Sequence, residues 1–203
     1  MIGDAVPFLI VFFILAVLAF LIHWPIAATV FLILFAFTAY FFRNPKRIPP
    51  NEENIVVSPA DGRVTKVGPL DPSDPHSAQL VSIFLSPFDV HVNRSPISGK
   101  ISDVTYTKGR FINAMSDQAS VLNEQNAVTV SNDSIEVVFK QIAGLIARRI
   151  VFWRKPGDIL EVGELVGLIK FGSRTDIIVP HNVILTVKQG DRVRGGTSII
   201  GRY

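Results

Sequence analysis

From Ala5 to Phe42 this chain carries no Asp, Glu, Lys or Arg. The stretch divides into two apolar runs, Ala5–Ile22 and Ile26–Phe42, parted by His23-Trp24-Pro25. At 18 and 17 residues they stand at the lower limit of what crosses a hydrocarbon core as a helix. Neither run has the polar stripe of a surface helix, so each expects apolar surroundings on every side. Helices with so short a link must run antiparallel and leave their outer ends on one side. Arg43, Lys46 and Arg47 follow directly, which puts that side in the cytoplasm. A cleaved signal peptide does not fit, because Asp4 replaces the basic start and a second apolar run follows the first. The expectation is a membrane-embedded helical hairpin over residues 1–42, at the cell membrane, with the rest of the chain on the cytoplasmic face. The short link leaves open whether the hairpin spans the bilayer or dips partway into it.

Pro45, Pro49 and Pro50, with Asn44 and Asn51, stiffen a linker over residues 43–52. Beyond it, residues 53–203 read as β-rich. Short apolar or alternating runs recur at Ile55–Val57, Arg63–Val67, Gln79–Leu85, Lys100–Thr107, Ala127–Ser131, Ile135–Lys140, Leu165–Lys170, Asp176–Val179, Ile184–Val187 and Thr197–Gly201. Residues 142–153 fit either a strand or a helix. Lys155-Pro156-Gly157-Asp158 and Lys188-Gln189-Gly190-Asp191 begin a weak internal repeat, each leading into a glycine and apolar residues. Repeated Gly-Asp turns entering short strands suit a flattened β-barrel of the lipoyl and biotinyl kind. The fold class is therefore mainly β, a barrel-sandwich hybrid-like domain behind a helical hairpin.

A net charge of +3 without a basic run argues against nucleic acid. The chain has no cysteine, which excludes disulfides, thiolate catalysis and cysteine-ligated metals. Its four histidines, including the isolated His76 and His181, have no metal-ligand spacing, and no metal is expected.

Gly172-Ser173 breaks the apolar run around it. For most Gly-Ser pairs a turn is the whole explanation. Chemically, glycine leaves room beside its own carbonyl, so a following serine hydroxyl can attack it and convert amide to ester. Elimination of that ester and hydrolysis would leave a pyruvoyl group on residue 173. Asp89 and His91 lie two apart, and on a strand they would share a face. Asp61, in Ser58-Pro59-Ala60-Asp61-Gly62, could orient the His91 imidazole if the fold brought them together.

Six ordered pieces carry a resemblance. They are Phe41-Phe42-Arg43-Asn44-Pro45; Ser58 to Gly62; Leu85-Ser86-Pro87 through Pro96; Asn123-Glu124-Gln125-Asn126; Gln141 to Gly144 with Ala147 to Ile150; and Phe171-Gly172-Ser173-Arg174. In this order they resemble the short form of the phosphatidylserine decarboxylase family. The resemblance implies cleavage between Gly172 and Ser173 into a β subunit of residues 1–172 and an α subunit of residues 173–203, with the pair further dimerised. It implies a pyruvoyl cofactor made from Ser173 and an anionic phospholipid substrate with a serine headgroup, diacyl or archaeal ether-linked. The ketone would accept the electrons left by the departing carboxylate. His91 would supply the replacing proton.

Longer family members carry Leu-Gly-Ser-Thr at the cleavage point and two histidines three residues apart. Here Arg174 follows Ser173, and Arg94 fills the second histidine's place. The base for Ser173 is thus open between His91 and Asp61 acting with a water. Arg148, Arg149 and Asn126 are candidate substrate-binding residues, with Lys108 and Arg110 also able to meet a phosphate. The competing reading is a non-catalytic, membrane-anchored adaptor or lipoyl-type carrier. A carrier needs a lysine at a hairpin tip, whereas Lys170 lies within an apolar strand.

Overall fold

The computed structural model describes residues 3–145, 149–170 and 172–203. The chain forms two compact units, the first ending at Lys46 and the second running Arg47–Tyr203.

The first unit is a pair of apolar helices, α1 (Val6–Leu21) and α2 (Pro25–Phe41). Each carries proline in its first turn, where no intrahelical N–H is lost. His23 turns the chain with φ +59°, in the left-handed region. The helices run antiparallel, with Phe8 stacked on Phe42 and Phe13 against Phe35, both pairs at 6.2 Å between ring centroids. Their outer faces carry uncovered Leu18, Phe20, Ile26 and Ile33. Residues 3–21 have the length and apolarity to cross a bilayer, and α2 is shorter.

The second unit is mainly β. Its largest sheet has eight strands, curled as a half-barrel. In chain order these are β2 (Gly62–Pro69), β3 (Gln79–Leu85), β5 (Gly99–Thr107), β6 (Gln125–Ser131), β7 (Glu136–Ile142), β9 (Ile159–Leu160), β11 (Ser173–Val179) and β13 (Arg192–Val193). Their spatial order is β13-β2-β3-β11-β7-β6-β5-β9. A second sheet sets β14 (Ile199–Arg202) between β1 (Ile55–Val57) and β12 (Ile184–Leu185). A third sets β10 (Leu165–Ile169) between β4 (Val92–Arg94) and β8 (Ile150–Phe152). A short helix, α3, covers Ala119–Leu122.

The internal repeat becomes two turns of one geometry. Asp158 accepts the Lys155 N–H at 3.1 Å, and Asp191 accepts the Lys188 N–H at 3.0 Å. Gly157 and Gly190 take φ of +96° and +99°. These turns lead into β9 and β13, the two outermost strands of the large sheet. The core beneath that sheet is built from Val81, Ile83, Leu85, Val128, Val130, Val137, Phe139 and Ile177. Each such side chain contributes about 1.5–3 kcal/mol by burial. Strand β6 alternates buried and half-buried residues as a one-sided strand should, but β11 is buried on both faces. Its polar residues Arg174, Thr175 and Asp176 therefore find their partners inside the protein.

Candidate active site

Gly172 and Ser173 lie where the chain passes from β10 of the three-stranded sheet to β11 of the eight-stranded one. Gly172 adopts φ +63°. A Cβ there would meet nothing within 4 Å, so backbone conformation rather than space demands glycine. Its N–H donates to His91 Nε2 at 3.2 Å. The Nδ1 of His91 stands 3.0 Å from the Asp89 carbonyl oxygen. A carbonyl only accepts, so Nδ1 carries the proton and Nε2 presents its lone pair. The ring is thus held as the neutral Nδ1–H tautomer.

The Gly172 carbonyl is backed by Gly144. A Cβ at Gly144 would sit 2.2 Å from that oxygen and 3.3 Å from Ala114 Cβ. Ser173 is fully buried, and its Oγ has no hydrogen-bond partner among the described residues. Leaving a hydroxyl so costs about 1–3 kcal/mol. A buried nucleophile follows a carbonyl in a left-handed turn, beside a neutral imidazole. This arrangement is chemically equipped for attack within the backbone.

Asp89 and His91 do not share a strand face. Residues 86–89 form a turn in which Asp89 Oδ2 accepts the Ser86 N–H and hydroxyl at 2.8 and 2.7 Å, and β4 starts only at Val92. Asp89 reaches the imidazole through its main chain instead. Asp61 is bound elsewhere, to the Gly195 N–H and to Arg47, both at 2.8 Å. Burial raises its pKa, and the Asp89 charge adds to this, while Gly195 and Arg47 oppose it. The Asp89 carbonyl thus meets the imidazole Nδ1, while the Asp61 carboxylate, which could orient the ring only if the fold brought them together, is held by Gly195 and Arg47. Arg94 is buried and donates to the Gly163 carbonyl at 2.9 Å, with its pKa lowered mainly by burial.

On the opposite face of β11, Arg174 and Asp176 form a forked pair, Nε to Oδ1 at 2.6 Å and Nη2 to Oδ2 at 3.1 Å. Arg174 also donates to Ser82 Oγ at 2.7 Å and to the Ser116 carbonyl at 3.3 Å. Sequence reasoning noted Arg174 only as a departure from longer relatives. Its buried pairing is joined by Ser82, 92 residues away along the chain.

Asn126 is buried, and its side-chain NH2 donates to Gln141 Oε1 at 3.0 Å. Arg149 is exposed, and its carbonyl accepts the Lys170 N–H at 3.1 Å. Arg148 lies outside the described residues. Lys108 and Arg110 are exposed on the segment after β5. His76 and His181 are not isolated; their rings meet edge-on at 5.1 Å between centroids.

The sequence model of the phosphatidylserine decarboxylase family matches residues 34–201. The phosphatidylserine decarboxylase proenzyme of Chlorobium chlorochromatii is 48% identical over 88% of this chain and 87% of its own length. The proenzyme of Carboxydothermus hydrogenoformans is 46% identical over 96% of this chain and 92% of its own. That of Geotalea uraniireducens is 42% identical, covering 98% and 94%. With Ser58–Gly62, the His91 segment and Gly172-Ser173 all inside the matched region, the chain belongs to the phosphatidylserine decarboxylase family.

Proposed function

We propose that this protein is a carboxy-lyase that converts a serine-headgroup phospholipid to its ethanolamine counterpart and carbon dioxide, after cutting its own backbone between Gly172 and Ser173. The observation that carries this reading is the buried Ser173 hydroxyl, without a hydrogen-bond partner among the described residues, directly after a left-handed glycine whose N–H is bound by His91. Ser173 Oγ attacks the Gly172 carbonyl carbon, and the C–N bond breaks to give an ester and a free amine on residue 173. Elimination across the Ser173 Cα–Cβ bond releases the Gly172 carboxylate. The enamine left behind adds water and loses ammonia, leaving a ketone at the head of the fragment 173–203.

His91 takes the Ser173 proton in this reading. Its Nε2 accepts the Gly172 N–H and so stands at the bond, whereas Asp61 is engaged by Arg47 and Gly195. The site fits a pyruvoyl group, since a buried position with no competing hydrogen bond among the described residues suits a residue that loses its hydroxyl. When present, that group accepts the electrons released by decarboxylation. His91 then holds the proton that the headgroup carbon receives as its carboxylate leaves. Arg149, exposed beside β10, meets the lipid phosphate. Arg148 belongs to the same role.

The half-barrel is read as a barrel-sandwich hybrid, supported by the paired Lys-x-Gly-Asp turns leading to its two outermost strands. The apolar helix pair embeds in the cell membrane, with Arg43, Lys46 and Arg47 marking the cytoplasmic side. Fragments 1–172 and 173–203 stay together as β and α subunits, and the pair dimerises further.

Mass spectrometry of the purified protein tests the reading. It should find a fragment beginning at residue 173 with a blocked N-terminus, and Ser173→Ala should remain one chain. Wild type, but not Ser173→Ala, should release carbon dioxide from phosphatidylserine vesicles. An uncut wild-type chain with full turnover would overturn the proposal.

A further inference from the structure

Strands β4 and β11 belong to different sheets, yet the reacting groups come from their ends. His91 precedes β4, and Ser173 opens β11. A second cross-link repeats the first one step along. Asn93, two residues after His91, donates from Nδ2 to the hydroxyl of Thr175, two residues after Ser173, at 3.2 Å. The same Nδ2 lies 3.4 Å from the Pro59 carbonyl. Behind this link is a chain of side-chain amides. Gln141 Nε2 donates to Asn93 Oδ1 at 3.0 Å, and Asn126 Nδ2 donates to Gln141 Oε1 at 3.0 Å. All four side chains are at most 2% exposed. Gly167 makes room for the middle of the chain, since a Cβ there would stand 3.0 Å from Gln141 Nε2.

An apolar core strand has no need of such a network, and burying it is worthwhile only if every member is satisfied. Each bond here runs the same way, from donor amide to acceptor, across β6, β7, β4 and β11. We infer that Asn126, Gln141, Asn93 and Thr175 act as positioning residues that set the spacing between His91 and the Gly172–Ser173 bond. None of them donates to or accepts from that bond itself. They act by fixing the two strands whose ends carry the reacting groups. This rests on the reading of Gly172–Ser173 as the self-cleaved bond.

Thr175→Val keeps the shape of residue 175 and removes the acceptor. Thr175→Ser keeps the acceptor. In the full chain, Thr175→Val should slow self-cleavage about tenfold or more, the order expected when reacting atoms are displaced by a fraction of an ångström. Thr175→Ser should cleave within about twofold of wild type. Ile83→Val, a cavity in the adjacent core, controls for stability and should lower the melting temperature without slowing cleavage. A readout free of chemistry is amide hydrogen exchange in the uncleavable Ser173→Ala chain, where adding Thr175→Val should speed exchange of the Gly172 N–H. Gln141→Leu should do the same. Two results would overturn the inference: wild-type cleavage and Gly172 exchange in Thr175→Val, or rates that simply follow melting temperature across all variants, Ile83→Val included. A wild-type chain that never cuts would instead sink the cleavage reading.

Discussion

Gly144 offers the sharpest perturbation of the Gly172 carbonyl, where cleavage is proposed. The residue is far from Gly172 in sequence, yet a Cβ added to it would stand 2.2 Å from the Gly172 oxygen. An ordinary contact needs roughly 1 Å more, and a misplacement of that size at a reacting group costs on the order of 10²-fold in rate. Ala114 Cβ, 3.3 Å from the same point, hinders retreat to the other side. Gly144→Ala must therefore push the carbonyl away from Ser173 or shift the segment after β7. Overpacking of this kind also costs about 1–3 kcal/mol of stability. The assay is a pulse-chase of newly made protein, following loss of the full-length chain on gels, beside a thermal melt of the same variant. The expected result is a folded chain that matures about a hundredfold more slowly. Maturation at the wild-type rate in a folded Gly144→Ala protein would refute the idea that this glycine sets the carbonyl's position.

Two further outcomes follow from the charged groups around the site. Removing the guanidinium with Arg174→Leu strands Asp176 in a site 2% exposed and should cost about 3–5 kcal/mol in chemical denaturation; a loss below about 1 kcal/mol would mean the pair contributes little. Because burial raises the pKa of Asp61, its carboxyl favours the folded state when protonated. That contribution is fully present below the ordinary carboxyl value of 3.8 and is lost as pH rises through the higher folded pKa. The stability of wild type minus that of Asp61→Asn should therefore increase as pH falls across this window, and a flat or falling difference would contradict it.

The strands with clear alternation or long apolar runs, β3, β5, β6 and β7, were legible from local pattern alone. So were the twin Gly-Asp turns, whose chemistry is contained in four consecutive residues. Strands β4, β9 and β13 were not, because two or three residues carry no periodicity and become strands only when a partner supplies hydrogen bonds. On a strand Asp89 would share the face of His91, but the Ser86 hydroxyl and N–H capture its carboxylate into a turn. Ser173 and His91 could be singled out by residue type and by family resemblance. Their supports could not. Gln141 and Gly144 stood out only as parts of a matching piece; that Gly144 acts through a carbonyl distant in the chain, and Gln141 through amides on two other strands, has no local trace.

The placement of β11 between β3 and β7 has one more consequence. The piece that scission would free, residues 173–203, contributes β11 and β13 to one sheet and β12 and β14 to another. It is woven through the domain rather than appended to it. If the proposed cut occurs, the molecule would keep its form because it folded beforehand. Once denatured, a cut copy would be two peptides that must find each other by diffusion, so it would have a single chance at assembly and its lifetime would be set by how slowly it comes apart.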